Sequence, residues 1–286
     1  MKKIRKIYLD CASSALSTSS NPGAIHELGV KEKNKLENSR SNIANILKAH
    51  NNEIIFTSGA TESNNLAILG IVKNFKNPHI ITTNIEHASV LEVCKYLEET
   101  KQAEVTYVPV EDNGIVDAKK IKKAFKENTI LVSVMYANNE IGTIQPIRDI
   151  AKEIRHYNKI NRDGNKRIFF HTDAVQAVNY LPINVRELGV DMMSINSAKI
   201  YGPKGVGVLY VKRNTPLSAI MFGGDQEFGL RPGTENVNLS VKFSEALKIS
   251  KNINDVVRIN QINIFLEFPK KIHQRVHIKK TRPEKS

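Results

Sequence analysis

One lysine, Lys199, stands where its side chain could bond covalently to a carbonyl compound. It follows a short apolar run and is itself followed by a glycine-rich turn, Gly202–Gly207, a pattern that places it at the end of a strand rather than on a solvated helix face. A partly desolvated lysine loses its proton more easily, and only the neutral amine attacks a carbonyl to form a Schiff base. The sequence therefore predicts a covalent lysine site at the edge of a sheet.

Two other predicted strand ends carry groups that suit a flat aromatic ligand. Asp173 and Gln176 lie in the segment His171–Gln176, and His87 follows another apolar run. A buried aspartate keeps a pyridine nitrogen protonated, a glutamine can hydrogen-bond a phenolic oxygen, and an imidazole can stack on a ring and move protons. Each also has an ordinary structural explanation, since aspartate is a favoured helix cap and a junction histidine is usually structural.

Three polar segments at further strand ends could bind a phosphate or a substrate. Thr57–Asn65 joins a strand to a helix and offers backbone N–H groups, hydroxyls and a helix dipole, although a plain helix cap explains it equally well. Asn138–Gly142 is a polar turn, and Arg231–Asn236 precedes a helix. No single motif is decisive, but the five motifs that accompany Lys199, taken in this order, favour a site for pyridoxal phosphate (PLP).

The elements that position these motifs are those of an α/β fold. Continuous apolar strands separated by helices predict a mostly parallel sheet of seven strands with helices on both faces, and ligands bind beyond the carboxyl ends of such strands. We expect strands at Glu53–Thr57, His79–Thr83, Glu104–Val108, Ile130–Met135, Arg167–His171, Met192–Asn196 and Val206–Val211. Helices are expected near Lys31–Lys48, Thr61–Phe75, Ser89–Lys101, Ala118–Lys126 and Ile147–Asn158.

Composition divides the chain into three parts. Residues 1–50 form an N-terminal segment with a short strand, Ile7–Leu9, a serine-rich loop and one helix; residues 51–250 form the large PLP-binding domain. In residues 251–286 the apolar run Ile259–Phe268 could pack, but the segment ends in a basic tail.

Charge and cysteine content exclude several other classes of protein. The net charge is +13 over 286 residues, but the two basic ends supply ten of these charges, and no aromatic platform accompanies them, so nucleic acid is an improbable partner. No apolar run is long enough to span a membrane and no signal peptide is evident. Cys11 and Cys94 form no metal-ligand spacing and no disulfide framework, which predicts a cytoplasmic protein without a metal site.

Taken in order, these motifs resemble the PLP-dependent cysteine desulfurases of the NifS/IscS type, within the class V aminotransferases. The resemblance implies the PLP-dependent transferase fold of type I and conversion of L-cysteine to L-alanine, with sulfur passed to a protein thiolate as a persulfide. It also implies a homodimer and a sulfur-acceptor protein, in iron–sulfur assembly or tRNA thiolation. The matching segments are Tyr8–Asp10, Asn21-Pro22 with Ile25-His26, Thr57–Asn65, Glu86-His87, Asn138–Gly142, Asp173–Gln176, Lys199–Gly205 and Arg231–Asn236.

The same resemblance implies a role for each matching residue. Lys199 would carry the cofactor and then serve as the proton-transfer base, and His87 would stack on its ring. Asp173 would pair with the pyridine nitrogen and Gln176 with the phenolic oxygen. The implied phosphate contacts are Ala60, Thr61 and Asn196, together with Thr234 from across a dimer interface. Asn139 would lie near the cofactor oxygen and the substrate carboxylate.

Departures from the family pattern affect both cofactor and sulfur chemistry. The family has serine and histidine where this chain has Asn196 and Ala198; loss of one charge-assisted contact at Ala198 would cost on the order of 1.5–3 kcal/mol of cofactor binding. Cys11 replaces an asparagine of the family pattern. The resemblance further implies that residues 1–50 are a shortened N-terminal segment, and that residues 251–286 are the remnant of a truncated C-terminal part without the small domain that carries the nucleophilic cysteine. Cys94 falls in a helical pattern typical of a buried residue.

Three hypotheses remain open from the sequence. The chain is a truncated or degenerate cysteine desulfurase that keeps its PLP domain, a class V transaminase or lyase that needs no protein thiol, or a non-catalytic PLP-binding remnant. The match through Lys199–Gly205 and Arg231–Asn236 favours desulfurase ancestry over transaminase ancestry.

Overall fold

The computed structural model describes residues 20–161 and 167–252, and this part of the chain forms one seven-stranded sheet with the order β1-β7-β6-β5-β4-β2-β3. Strands β3, β2, β4, β5 and β6 are parallel, whereas β7 is antiparallel to both β6 and β1. The predicted, mostly parallel sheet is thus confirmed. The strands are β1 (Ile54–Thr57), β2 (His79–Thr83), β3 (Glu104–Val108), β4 (Thr129–Ser133), β5 (Phe169–Asp173), β6 (Met192–Asn196) and β7 (Gly207–Val211).

Helices cover both faces of the sheet, as predicted, because successive strand residues point to opposite sides. Ile55 and Phe169 pack with helices α2 and α3, whereas Phe56 and Phe170 belong to the core formed with α1 and α4 to α7. The helices are α1 (Glu27–Leu47), α2 (Ala60–Val72), α3 (Ala88–Glu99), α4 (Ala118–Lys123), α5 (Ile147–Ile160), α6 (Val185–Leu188) and α7 (Val237–Asn252).

The first helix begins four residues before the predicted start. The His26 imidazole accepts a hydrogen bond from the backbone N–H of Gly29 (3.2 Å) and so caps α1, a role for which histidine is not a preferred residue. The predicted strand Ile7–Leu9, Cys11 and the apolar run Ile259–Phe268 lie outside the described residues. In the described ranges, every helix is too short or too polar to cross a membrane.

Two histidines lie inside the sheet, each between hydroxyl groups of the two neighbouring strands. His171 of β5 hydrogen-bonds Ser133 of β4 through Nδ1 (2.9 Å) and Ser194 of β6 through Nε2 (3.0 Å). His79 of β2 bonds a threonine hydroxyl of β4 and another of β3 in the same way. Burial lowers the pKa of His171 to about 3, so the imidazole is neutral in the folded chain near neutral pH.

This burial predicts a specific loss of stability in acid. The folded chain keeps His171 neutral while the unfolded chain protonates it below its ordinary pKa of about 6.5, so stability falls as the pH drops from about 6.5 towards 3. We expect His171→Gln to reduce the slope of the unfolding free energy between pH 6 and 4 by about 1.4 kcal/mol per pH unit. Urea denaturation at several pH values measures this slope. His156→Gln, which changes an exposed imidazole, is the control; equal slopes in wild type and His171→Gln would contradict the prediction.

Candidate functional site

A cavity of about 210 Å³ opens at the edge of the sheet where β4, β5 and β6 end and α2 begins. It brings together eight of the nine residues that the sequence singled out: Ala60, Thr61, His87, Asn139, Asp173, Gln176, Asn196 and Lys199. Its other lining residues are Ser89, Met135, Ala137 and Val175. The strand ends gather at one edge because β4, β5 and β6 are parallel.

Asp173, the last residue of β5, is the buried carboxylate of this cavity. Its Oδ2 accepts a hydrogen bond from Asn64 Nδ2 (2.8 Å) and its Oδ1 accepts one from the backbone N–H of Val175 (3.0 Å). Burial raises the pKa of Asp173, although these hydrogen bonds and the nearby His87 act in the opposite direction. A cationic group that binds in the cavity would therefore stabilise the ionised form of Asp173.

His87 caps helix α3 and presents the rest of its ring to the cavity. Its Nδ1 accepts from the backbone N–H of Ser89 (3.1 Å) and pairs with the Ser89 hydroxyl (2.9 Å). Because Nδ1 accepts from an N–H group, the proton of the neutral ring is on Nε2. The side chain is exposed, so this N–H group is free to meet a ligand or solvent.

The N-terminus of α2 supplies the positive end of a helix dipole to the cavity. The first turn of a helix has N–H groups without intrahelical partners, and Gly59 at the N-cap has no side chain to bond them. Ala60 and Thr61 of this turn both line the cavity. A Cβ added to Gly207 would lie 2.8 Å from Gly59 backbone atoms, so the glycine at the start of β7 allows this close approach.

The two asparagines of the segment Asn138–Gly142 have different roles. Asn138 is buried; its Oδ1 accepts from the backbone N–H groups of Glu140 and Ile141, and its Nδ2 donates to the Ile85 carbonyl. These bonds build the turn. They leave the exposed Asn139 as the residue that lines the cavity.

Lys199 closes a short 3₁₀ turn, Ser197–Lys199, directly after β6. Asn196 caps this turn, because its Oδ1 accepts from the Ala198 N–H (3.2 Å). Its NH₂ group remains to donate to a ligand. The sequence interpretation that Lys199 is partly desolvated is wrong for this structure, because the turn places the side chain at the open end of the cavity, where it is exposed. Ala198 is half-buried and does not line the cavity.

Thr234 is the one predicted site residue that the structure leaves apart from the cavity, and it is exposed. Its loop is nevertheless tied to the start of α2, because Arg231 Nε donates to Glu62 Oε1 (2.8 Å) while Glu62 Oε2 accepts from the Ser58 N–H (2.7 Å). Burial alone would raise the pKa of Glu62, but the Arg231 and Ser58 hydrogen bonds lower it overall. The loop therefore has a fixed position beside the cavity.

Three residues around the cavity were missed as individual functional groups. Asn64 and Ser89 connect Asp173 with His87, and Glu86 lies behind them, its carboxylate accepting from the Met135 N–H and the Thr83 hydroxyl. Burial raises the pKa of Glu86 to about 8. The available signal was their position: Asn64 stands one helical turn into a polar strand–helix junction, and Glu86 precedes His87.

Comparison with known proteins places this site in a family context. The family described as Aminotransferase class-V matches residues 1–264. The cysteine desulfurase IscS of Dictyoglomus turgidum is 46% identical over 232 residues, covering 80% of this chain and 56% of the relative. A putative cysteine desulfurase, IscS 1 of Bacillus subtilis, is 44% identical over 82% of this chain and 60% of its own length. The chain thus spans well under two thirds of these curated relatives.

Solved structures give the same result for the fold. A NifS-like protein superposes with a TM-score of 0.76 at 39% identity, covering 81% of this chain and 62% of that protein. SspA in complex with cysteine superposes with a TM-score of 0.75, also at 39% identity, over 80% of this chain and 64% of that one. The predicted fold class is confirmed by these likenesses.

Proposed function

This chain belongs to the class V aminotransferase family, whose members depend on PLP, and we propose that its cavity binds this cofactor through Lys199. The observation that carries the proposal is the placement of two groups in one cavity: a buried carboxylate, Asp173, and the exposed amine of Lys199. A lysine amine holds the cofactor covalently, and a carboxylate is the partner that a pyridine nitrogen needs.

The other lining residues suit the remaining parts of the cofactor. The first turn of α2, with Ala60 and Thr61, is a helix N-terminus of the kind that binds phosphate, and the NH₂ group of Asn196 can add a donor. The exposed His87 ring can stack on a flat ligand. Gln176 is the candidate hydrogen-bond donor to the phenolic oxygen.

Asp173 would gain a partner of opposite charge in the cofactor-bound chain. Burial raises the pKa of Asp173 in the cofactor-free chain. Asp173 would hold a protonated pyridine nitrogen by a hydrogen bond, and the attraction between the two charges would offset the cost of burial. Bound PLP then supplies an electron sink for negative charge at the α-carbon of an amino acid.

Two residues would move the substrate's protons. The Lys199 amine would be the base for the proton on the α-carbon of a bound amino acid, because it lines the same cavity. His87, whose ring proton is on Nε2, would exchange protons between the substrate and solvent. Asn139, at the exposed end of the cavity, is the proposed contact for the substrate carboxylate.

The proposed substrate is L-cysteine, and the proposed reaction is that of a cysteine desulfurase. The relatives named cysteine desulfurase and the likeness to SspA in complex with cysteine support this choice. Sulfur transfer also needs a protein thiolate. Burial raises the pKa of the Cys94 thiol to about 12, so Cys94 does not supply it, and Cys11 lies outside the described residues.

The proposed partners are a second copy of this chain and a sulfur-acceptor protein. In the dimer, Thr234 would reach the phosphate in the partner's cavity. The position of Thr234 supports this arrangement: it is exposed, outside its own cavity, on a loop held at the start of α2 by the Arg231–Glu62 ion pair.

A second candidate function is a class V transaminase or lyase reaction that uses no protein thiol. The observation that favours it is the burial of Cys94, the free cysteine of the described residues. Such an enzyme would keep the proposed roles of Lys199 and Asp173 and lose only the sulfur-transfer step.

An assay with L-cysteine tests the sulfur-transfer step. We expect the PLP-loaded chain to change its absorbance on addition of L-cysteine while releasing no more than traces of sulfide and alanine, since the described residues place no reactive thiolate at the site. Methylene-blue detection of sulfide and chromatographic detection of alanine measure the turnover, with Cys94→Ala as the control. Multiple turnovers to alanine that persist when Cys11 and Cys94 are both replaced would contradict the prediction.

A further inference from the structure

A continuous series of hydrogen bonds behind the cavity joins Asp173 to His87 through Asn64 and Ser89. Asn64 is fully buried in α2, and its Nδ2 lies 2.8 Å from Asp173 Oδ2 and 2.8 Å from Ser89 Oγ. Ser89 Oγ in turn lies 2.9 Å from His87 Nδ1. One series of hydrogen bonds therefore joins strand β5, helix α2 and the start of helix α3.

The donors along this connection are fixed by one backbone group. His87 Nδ1 accepts from the Ser89 N–H, so it carries no proton and the Ser89 hydroxyl donates to it. Ser89 Oγ is then free to accept from Asn64. An amide NH₂ that donates to Ser89 directs its second N–H to Asp173. The orientation of Asn64, and with it the acceptor role of Asp173, follows from the helix cap.

This arrangement leaves one polar atom without a partner. Asn64 Oδ1 is buried and has no hydrogen bond within the described part of the chain. A buried carbonyl oxygen without a donor is unfavourable, whereas a leucine of similar size would leave no such atom in the surrounding core. Packing alone therefore does not account for an asparagine at this position.

We propose, on the basis of the proposed function, that Asn64 is a positioning residue that holds Asp173 as an anionic hydrogen-bond acceptor for the PLP pyridine nitrogen. Asn64 is the side-chain donor to Asp173 among the described residues, and the Val175 backbone supplies the other bond. The titratable groups that face Asp173 are Glu86, whose pKa the Asp173 charge helps to raise, and His87, whose protonated form favours ionised Asp173. An N–H donor between them biases Asp173 towards the charged form.

The test is the protonation of the cofactor's ring nitrogen, read by ¹⁵N NMR of bound PLP labelled at that atom. We expect Asn64→Leu, which keeps the volume and removes both donors, to lower the pKa of the ring nitrogen by about one unit and to weaken PLP binding about tenfold. Asn64→Ala repeats the test if leucine disturbs folding, and thermal unfolding of the cofactor-free variants checks both. The matched control is Asn74→Leu, because Asn74 bonds two backbone carbonyls far from the cavity.

The outcomes separate this proposal from the proposed function. A Lys199-dependent absorbance band in wild type, with a ring-nitrogen pKa unchanged in folded Asn64→Leu and Asn64→Ala, overturns the role of Asn64 and leaves the cofactor assignment intact. Absence of any Lys199-dependent band in wild type removes the proposed function itself. A lowered pKa in the Asn64 variants but not in Asn74→Leu supports the positioning role, since a purely structural residue would not change the protonation of the ring nitrogen.

Discussion

Replacement of Lys199 by alanine is expected to abolish the visible absorbance band that PLP develops with the wild-type chain. The band arises from a covalent bond between the cofactor aldehyde and a lysine amine, and Lys199 is the only lysine that lines the cavity within residues 20–161 and 167–252. Titration of the purified protein with PLP, followed by spectrophotometry, measures the effect. Borohydride reduction and peptide mass spectrometry locate the bond, and we expect the modified peptide to contain Lys199.

The glycine-rich turn that follows Lys199 provides a control lysine. Lys204 is exposed, lies five residues further along and does not line the cavity. We expect Lys204→Ala to keep the full absorbance band. An equal band in Lys199→Ala, or a reduced adduct found on Lys204, would show that PLP reacts with surface amines and would remove the basis for the cofactor assignment.

The second large effect is expected from Glu227→Gln, which should cost about 3–5 kcal/mol of folding free energy. Glu227 forms a buried, bidentate ion pair with Arg40 of α1, with both N–O distances at 2.7 Å, and its carboxylate also accepts from the Phe56 N–H of edge strand β1. Burial alone would lower the pKa of Arg40, but the Glu227 and Glu37 carboxylates raise it overall. Glutamine has the same shape and removes the buried counter-charge of the guanidinium, leaving the half-exposed Glu37 carboxylate.

Urea denaturation of matched variants measures this effect. Glu37→Gln removes the other carboxylate near Arg40, but the Glu37 side chain is 46% exposed, so we expect a loss below about 1 kcal/mol. The double variant Arg40→Met with Glu227→Leu should recover much of the loss, because it removes both buried charges together. A loss in Glu227→Gln no larger than in Glu37→Gln would mean that the pair does not stabilise the fold.

Glu227 also holds an unusual stretch of backbone. Glu227 and Phe228 both have positive φ values, 48° and 60°, in a region that L-residues rarely adopt. The ion pair with Arg40 and the stacking of this guanidinium near the Phe228 ring fix the stretch against α1 and β1. The loop that follows carries Arg231 and Thr234, so the pair also determines where these two residues lie.

The sheet and most of the cavity could be predicted from the sequence for a simple physical reason. Strands buried on both faces are continuous apolar runs, and polar groups directly after such runs must lie at one edge of a parallel sheet. Asp173 and Lys199 were found in this way. For Asn64 the sequence offers only its position at a polar strand–helix junction; a polar residue within a helical pattern is normally solvated, and only the folded chain turns it towards Asp173.

Other features depend on contacts between distant residues. Arg40 and Glu227 are 187 positions apart, and no local pattern indicates that they form a buried pair. The exposure of Lys199 depends on which elements surround the cavity mouth, which strand and helix patterns do not report. The hydroxyl partners of His79 and His171 likewise follow from strand order, which composition and periodicity leave open.

The antiparallel strand β7 has a consequence for the size of any ligand that this chain binds. Because β7 lies between β1 and β6, the turn that carries Lys199 and the first turn of α2 follow strands that are two positions apart in the sheet. Neighbouring strands are about 4.8 Å apart, so these two strands are separated by about 10 Å. A ligand that contacts both the amine after β6 and the anion site after β1 must span this distance. The spacing between hydrogen-bonded strands, rather than the length of any loop, therefore sets the size of such a ligand.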